Sequence, residues 1–233
     1  MDVHTTRRQV RVRNVVHGIG MSGPRQWRVR VSGGWKTDDV ATPYLEQEAW
    51  ARLVLDISVA AFAVGEFSQA VKWRRGGSPM DVRGEVAFRA IFFAGILMLP
   101  LAQTVAPGAV LGGAGPFVLG MGVGWLGLLV RWWSFVTLGM NFTTVVKASA
   151  DQLVVGHGPY RVLRHPSYTG LLAAFLGCGL MLGNWVGTAA TFVLILAGLV
   201  YRLLREEQAM ISHVGDAYVE FARGRARLVP FVW

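Results

Sequence analysis

From Leu171 to Val200 the chain runs for thirty residues without an Asp, Glu, Lys or Arg. A straight helix of that length extends about 45 Å, well beyond a hydrocarbon core of about 30 Å, so the run must fold back on itself. Gly183-Asn184, near its middle, supplies the turn chemistry. A helical hairpin there has a consequence for function. It returns Arg202, Glu206 and Glu207, which follow the run, to the membrane face that carries Arg164-His165-Pro166-Ser167-Tyr168, which precedes it. Two polar clusters far apart in sequence are thereby expected to converge.

Across 233 residues the chain is 53% apolar and only 16% charged, which places it among polytopic membrane proteins and predicts an all-α architecture. Its formal charge of +9 does not point to nucleic acid, because Lys and Arg lie in tails and loops beside apolar spans. Anionic membrane lipids suit that distribution better. Cys178 is the one cysteine, so no intrachain disulfide can form, and its place inside a span reads as packing.

Residues 1–48 are read as a basic, disordered tail: eight Lys and Arg occur up to Lys36 against one acid, Asp2, with no helical or strand periodicity. The tail lacks the apolar centre of a cleavable signal peptide. Residues 49–233 are read as a membrane-embedded domain with five spans near 52–71, 86–105, 116–136, 167–183 and 185–204, and a catalytic region over 141–233. Asp56 and Glu66 interrupt the first span, and each would cost roughly 2.5 to 3.5 kcal/mol at the bilayer centre, so they must face protein or lie near an interface. Five crossings put the charged loop holding Lys72, Arg74, Arg75, Asp81, Arg83 and Glu85 on the same side as the Arg164-His165 cluster and the C-terminus. The uncharged turn Pro107–Gly115 falls on the other side. By the positive-inside rule the first side is cytoplasmic, in an inner or plasma membrane. The basic tail opposes this orientation, an opposition softened by Asp38, Asp39, Glu46 and Glu48 next to the first span. Gly120, Gly122, Gly124 and Gly127 line the third span, and the Gly120-Gly124 spacing is one that lets helix backbones approach closely.

Taken alone, the Arg-His-Pro-Ser-Tyr string is also what an ordinary interfacial turn looks like, and Arg202 with Glu206, four apart on one helix face, is also what a solvated ion pair looks like. Their expected convergence favours a site. His157, His165 and His213 lack the spacing of a zinc site, so no metal is expected, and Ser167 has no nucleophile-elbow context.

The ordered series Leu153-Val154-Val155-Gly156-His157-Gly158-Pro159-Tyr160, then Arg164-His165-Pro166-Ser167-Tyr168-Thr169-Gly170, then Arg202 with Glu206-Glu207, and finally Gly215-Asp216-Ala217-Tyr218 before Val229-Pro230, resembles the isoprenylcysteine carboxyl methyltransferase family in a bacterial-type member. The resemblance covers roughly residues 131–231; the first three spans match only in general character, and the tail has no counterpart. It implies a membrane enzyme that moves a methyl group from S-adenosyl-L-methionine to the carboxylate of a lipid-modified cysteine or another lipophilic acid. It also implies cofactor contacts at Gln152, Leu153, Val154, Val155, Tyr160, His165, Pro166, Ser167, Tyr168 and Glu206. Arg202 would bind the substrate carboxylate and serve catalysis, with further contacts from Lys147, Arg164 and Glu207. The chain departs from the family in carrying Gln152 where histidine is usual; glutamine still donates and accepts hydrogen bonds.

Physical chemistry is compatible with that reading. A carboxylate is already ionised near neutral pH, so methylating it requires alignment of oxygen, methyl and sulfur more than it requires a general base. Three other readings stay open: a phospholipid N-methyltransferase, disfavoured by a cation facing an amine; a sterol-reductase-like enzyme using NADPH, whose chains are generally longer; and a non-catalytic membrane scaffold.

Overall fold

The computed structural model describes residues 42–73, 82–139, 155–230 and 232–233. Among them there is no strand, and the long elements are all helices. A single turn, α1 (Tyr44–Gln47), falls at the end of the segment read as tail and leads into α2 (Ala49–Trp73). Then follow α3 (Val82–Val105), α4 (Ala114–Leu138), α5 (Pro166–Leu182), α6 (Trp185–Val214) and the short α7 (Asp216–Ala222). Three stretches, Gly84–Val105, Ala114–Leu138 and Trp185–Val214, are long and apolar enough to cross a membrane on their own. Helix α5 is apolar but only 17 residues long. Helix α2 is long, but it carries Arg52, Asp56, Glu66 and Lys72. The chain is an integral membrane protein with at least these three spanning helices.

The reversal between α5 and α6 is made by the residues expected to make it. Gly183 ends α5 in the left-handed region at φ 70°, and its N–H bonds the carbonyls of Gly179 and Leu180. Asn184 starts α6: its Oδ1 accepts from the Gly187 N–H at 2.9 Å, while its Nδ2 donates to the carbonyls of Ala102 on α3 and of Ala106 just beyond it. One buried side chain therefore caps one helix and satisfies the end of another. The turn between α3 and α4 closes against it, with Leu111 N–H bonding the Gly183 carbonyl at 2.7 Å and Trp185 N–H bonding the Ala109 carbonyl at 3.0 Å.

Helices α4 and α5 pack the most closely. In lipid, helix association draws on close packing rather than on release of water, and small residues allow it. A Cβ on Gly127 would lie 2.6 Å from the Gly170 carbonyl oxygen and from the Ala174 nitrogen, and one on Gly120 would lie 2.6 Å from the Gly177 carbonyl oxygen. Gly120, Gly124 and Gly127 thus face α5 as a packing stripe, whereas Gly122 opens onto empty space. Helix α3 lies against α6, where the Thr191 hydroxyl donates to the Gly95 carbonyl at 2.8 Å. Leu99, Leu171, Phe175, Ile195 and Leu199 form the main core, with Cys178 packed at its edge. A second cluster of Leu45, Ala51, Phe117 and Met181 ties α1 and the start of α2 to α4 and α5.

Asp56 is exposed two turns into α2, roughly 10 Å from its start at 1.5 Å per residue. Glu66 faces protein, as its cost in lipid requires: it takes the forked guanidinium of Arg131 on α4, with Nη2 to Oε2 at 2.8 Å.

Candidate active site

The hairpin brings the two sequence clusters together at the end of the bundle opposite the Gly183-Asn184 turn. His165 is the N-cap of α5 and Pro166 its first residue, a position where proline's missing N–H costs nothing. Ser167 and Tyr168 then lie in the first turn, held from below by Arg131, whose Nη1 donates to the Ser167 carbonyl at 2.9 Å. The segment before α5 is clamped by the C-terminal stretch, with Arg164 N–H bonding the Ala226 carbonyl at 2.8 Å and His165 N–H bonding the Arg227 carbonyl at 3.1 Å. Thr169 adds a hydroxyl bond to the Leu228 carbonyl at 2.6 Å.

The centre of the site is a chain of charge-assisted hydrogen bonds. Arg202 is buried on α6; its Nε donates to the Tyr168 hydroxyl at 2.8 Å, and that hydroxyl donates to Glu206 Oε2 at 2.7 Å. Arg202 and Glu206 share a helix face, as their spacing predicts, but Tyr168 joins them. The other side of the guanidinium is held by Glu85 from the first turn of α3, with Nη1 to Oε2 at 2.9 Å, and it lies over the Phe88 ring at 4.6 Å from the centroid. The His165 ring stacks on Tyr168 with centroids 5.4 Å apart and planes 5° from parallel.

Glu206 and Glu207, adjacent in sequence, meet different environments. The Glu206 side chain is 33% exposed and uses only Oε2 for Tyr168, whereas that of Glu207 is 7% exposed. Glu207 accepts from Arg164 Nη1 at 3.2 Å and Arg227 Nε at 3.0 Å, and lies 3.4 Å from His165 Nε2. Arg164 and Glu207, read as further contacts, are thus occupied with each other and lock the pre-α5 segment to α6 and the C-terminal stretch.

Tyr160 sits in a 3-10 turn, Gly158–Arg161, and is buried beside Ser134 and Glu206. Burial pushes its phenol well above its usual pKa and the nearby Glu206 charge adds to the shift, so it stays a neutral hydroxyl. Tyr218 on α7 is raised in the same direction, by burial first and then by Glu207 and Glu206. Val155 is half-buried just ahead of this turn. Lys147, Gln152, Leu153 and Val154 lie outside the described residues.

Sequence reasoning missed Glu85, Arg131 and Arg227. Glu85 read as one charge in a charged loop; its position four residues before Arg89, with which it also pairs at 2.8 Å, marked a helix start but not an inward-facing group. Arg131, a cation inside the third span, was the detectable signal, because a buried charge in lipid needs a partner.

Below the polar layer lies an apolar cavity of about 270 Å³ between α2, α3, α4 and α5, walled by Phe62, Leu99, Trp125, Leu128, Phe175 and Met181 among others. Phe175 is seven residues along α5 from Tyr168, about 10 Å by helix rise.

Comparison with known proteins agrees with this layout. Residues 116–217 match the family model described as phospholipid methyltransferase. Protein-S-isoprenylcysteine O-methyltransferase A of Arabidopsis thaliana is 35% identical over 109 residues, which cover 46% of this chain and 55% of that protein. The protein-S-isoprenylcysteine O-methyltransferase of Schizosaccharomyces pombe is 31% identical over 109 residues, covering 46% of each chain. The chain thus spans about half the length of the curated relatives it matches. A solved structure of the eukaryotic intramembrane Ras methyltransferase ICMT (isoprenylcysteine carboxyl methyltransferase) superposes with a TM-score of 0.54 at 20% identity, over 78% of this chain and 68% of the other. The matched segment, 116–217, contains the hairpin and most of the polar layer at its open end, so this part of the chain is similar to the phospholipid methyltransferase family model, and the chain shares its fold with isoprenylcysteine carboxyl methyltransferase.

Proposed function

We propose that this protein methylates the carboxylate of a lipophilic acceptor, of the lipid-modified cysteine class, using S-adenosyl-L-methionine, with its site on the cytoplasmic face. The observation that carries the reading is the Arg202–Tyr168–Glu206 chain at the open end of the hairpin, above an apolar cavity. The residues present fit the cofactor. The stacked His165–Tyr168 pair offers an aromatic surface for an adenine ring, and Glu206, partly exposed with Oε2 committed to Tyr168, has Oε1 to accept from ribose hydroxyls or an amino group. Bound S-adenosyl-L-methionine would supply the electrophilic methyl group.

Arg202 orients the acceptor. Glu85 already illustrates the contact: a carboxylate oxygen rests 2.9 Å from Nη1 of a guanidinium that Tyr168 and the Phe88 ring hold in place. An acceptor carboxylate arriving there is ionised at neutral pH and needs no base; Arg202 and Tyr168 fix its direction. The arginines on Glu207 hold the α5 and α6 ends at fixed separation, and the cavity along α5 suits the acceptor's apolar chain.

Calorimetry on detergent-purified protein tests the reading, with S-adenosylhomocysteine and NADPH as ligands. Saturable binding of S-adenosylhomocysteine, lost in Glu206→Ala and kept within about threefold in Arg202→Ala while turnover falls at least about 100-fold, is the expected pattern. Binding of NADPH alone would overturn it in favour of a reductase.

Methylation of an amine headgroup is the second reading, and one observation favours it: Glu85 neutralises Arg202, which weakens the repulsion an ammonium would meet. Glu85→Gln separates the two. Removing the internal carboxylate that competes for Arg202 should lower KM for a carboxylate acceptor and raise it for an amine.

A further inference from the structure

Along segment 161–164 and the C-terminal stretch the chain builds a second polar hollow. A cavity of about 440 Å³ is lined by Arg161, Arg164, Arg225 and Arg227, with Val162 and Trp233 at its rim. Local backbone pairing creates it. Leu163 bridges Ala226 in parallel register, which turns Leu163 and Leu228 inward and Val162, Arg164, Arg225 and Arg227 into the hollow.

Four guanidinium groups share this space, and among the described residues one carboxylate side chain, Glu207, pairs with two of them, so positive charge is in excess. Carbonyl oxygens and rings hold the arginines in place without neutralising them. Arg225 Nε donates to the Tyr160 carbonyl at 3.0 Å, Nη1 donates to the Phe221 carbonyl, and the group lies 4.5 Å over the Phe221 ring. Arg164 Nε donates to the Arg225 carbonyl at 2.9 Å, and Arg227 lies over the Trp233 ring at 5.2 Å. Arg161 is exposed. Like charges held together by neutral partners form a receptor for an anion, and forked guanidinium groups match phosphate oxygens.

The rim identifies the source of that anion. Val162 is 45% exposed, Val232 78% and Trp233 42%, and the hollow adjoins Pro166, where the chain enters the apolar hairpin. Exposed aliphatic and indole groups beside arginines at the end of a span are the composition of the headgroup layer. We propose that this basic hollow binds the phosphate of an anionic phospholipid headgroup. The lipid would lie in the leaflet facing the candidate active site, and the inference does not depend on which reaction that site performs.

The test is calorimetry of the full chain in detergent with dihexanoylphosphatidylglycerol, dihexanoylphosphatidylcholine and inorganic phosphate as probes. Saturable phosphatidylglycerol binding is expected, at least about tenfold tighter than phosphatidylcholine. Reversal of one charge in Arg161→Glu should weaken it by about 10- to 30-fold, taking about 1 kcal/mol per basic residue near an anionic surface, with the unfolding midpoint unchanged. Trp233→Ala should weaken lipid binding more than it weakens phosphate binding. Equal binding of the two lipids, insensitivity to Arg161→Glu, or phosphate binding as tight as phosphatidylglycerol binding would each overturn the proposal, the last by making it a soluble-anion site.

Discussion

Arg202 illustrates how a cation near the end of an apolar helix is made tolerable: a carboxylate on one side, a phenol on the other and a ring beneath it. A charge lacking such partners in a low-dielectric site would cost several kcal/mol. Tyr168 is the shared member, since its hydroxyl accepts from Arg202 and donates to Glu206. Tyr168→Phe should leave the fold intact, because Glu85 still pairs with Arg202, but it releases Glu206 from a charge-assisted bond worth about 1.5 to 3 kcal/mol. A roughly tenfold loss of S-adenosylhomocysteine affinity by calorimetry is expected; unchanged affinity would show that Glu206 is positioned by something else. Arg202, Glu206 and Tyr168 were legible in the sequence because they bracket an uncharged run whose length forces a reversal. Glu85 was not, since nothing in a charged loop marks which of its side chains turns inward, and that depends on how α3 lies against α6.

Among the elements, the α4–α5 contact sets where Tyr168 and the Ser167 carbonyl stand relative to Arg131. The glycine stripe lets the two backbones touch, and a side chain on that stripe must push them apart. Gly127→Val places Cβ 2.6 Å from the Gly170 carbonyl oxygen, one turn from the Arg131 contact. Overpacking of this kind costs about 1 to 3 kcal/mol or more, so a lower unfolding midpoint is expected in a thermal scan of purified protein. Gly122→Val, facing open space, is the control and should shift the midpoint far less. The small-residue spacing was readable from sequence; its partner helix was not, because the spacing states that a close approach occurs and leaves the approaching backbone unnamed.

For the molecule as a whole, the helix ends gather in two groups. The start of α3, the segment before α5 and the end of α6 meet at one end, while the uncharged turn near Gly108 and the Gly183-Asn184 reversal meet at the other. Single cysteines at Glu220 and at Gly108, in a Cys178→Ala background, should react with impermeant thiol reagents from opposite faces of the membrane, with Glu220→Cys labelled only from the cytoplasmic side; labelling of both from one side would break the proposed topology. The sequence by itself determined the membrane environment, the helices and the hairpin, because segment length, absence of charge and turn residues are properties of consecutive residues acting within a solvent of fixed thickness. Only the tertiary structure decided which charges meet. Glu66 with Arg131, Glu85 with Arg202 and Glu207 with Arg164 and Arg227 are pairs between elements, chosen by the packing of helices and not by any spacing along the chain.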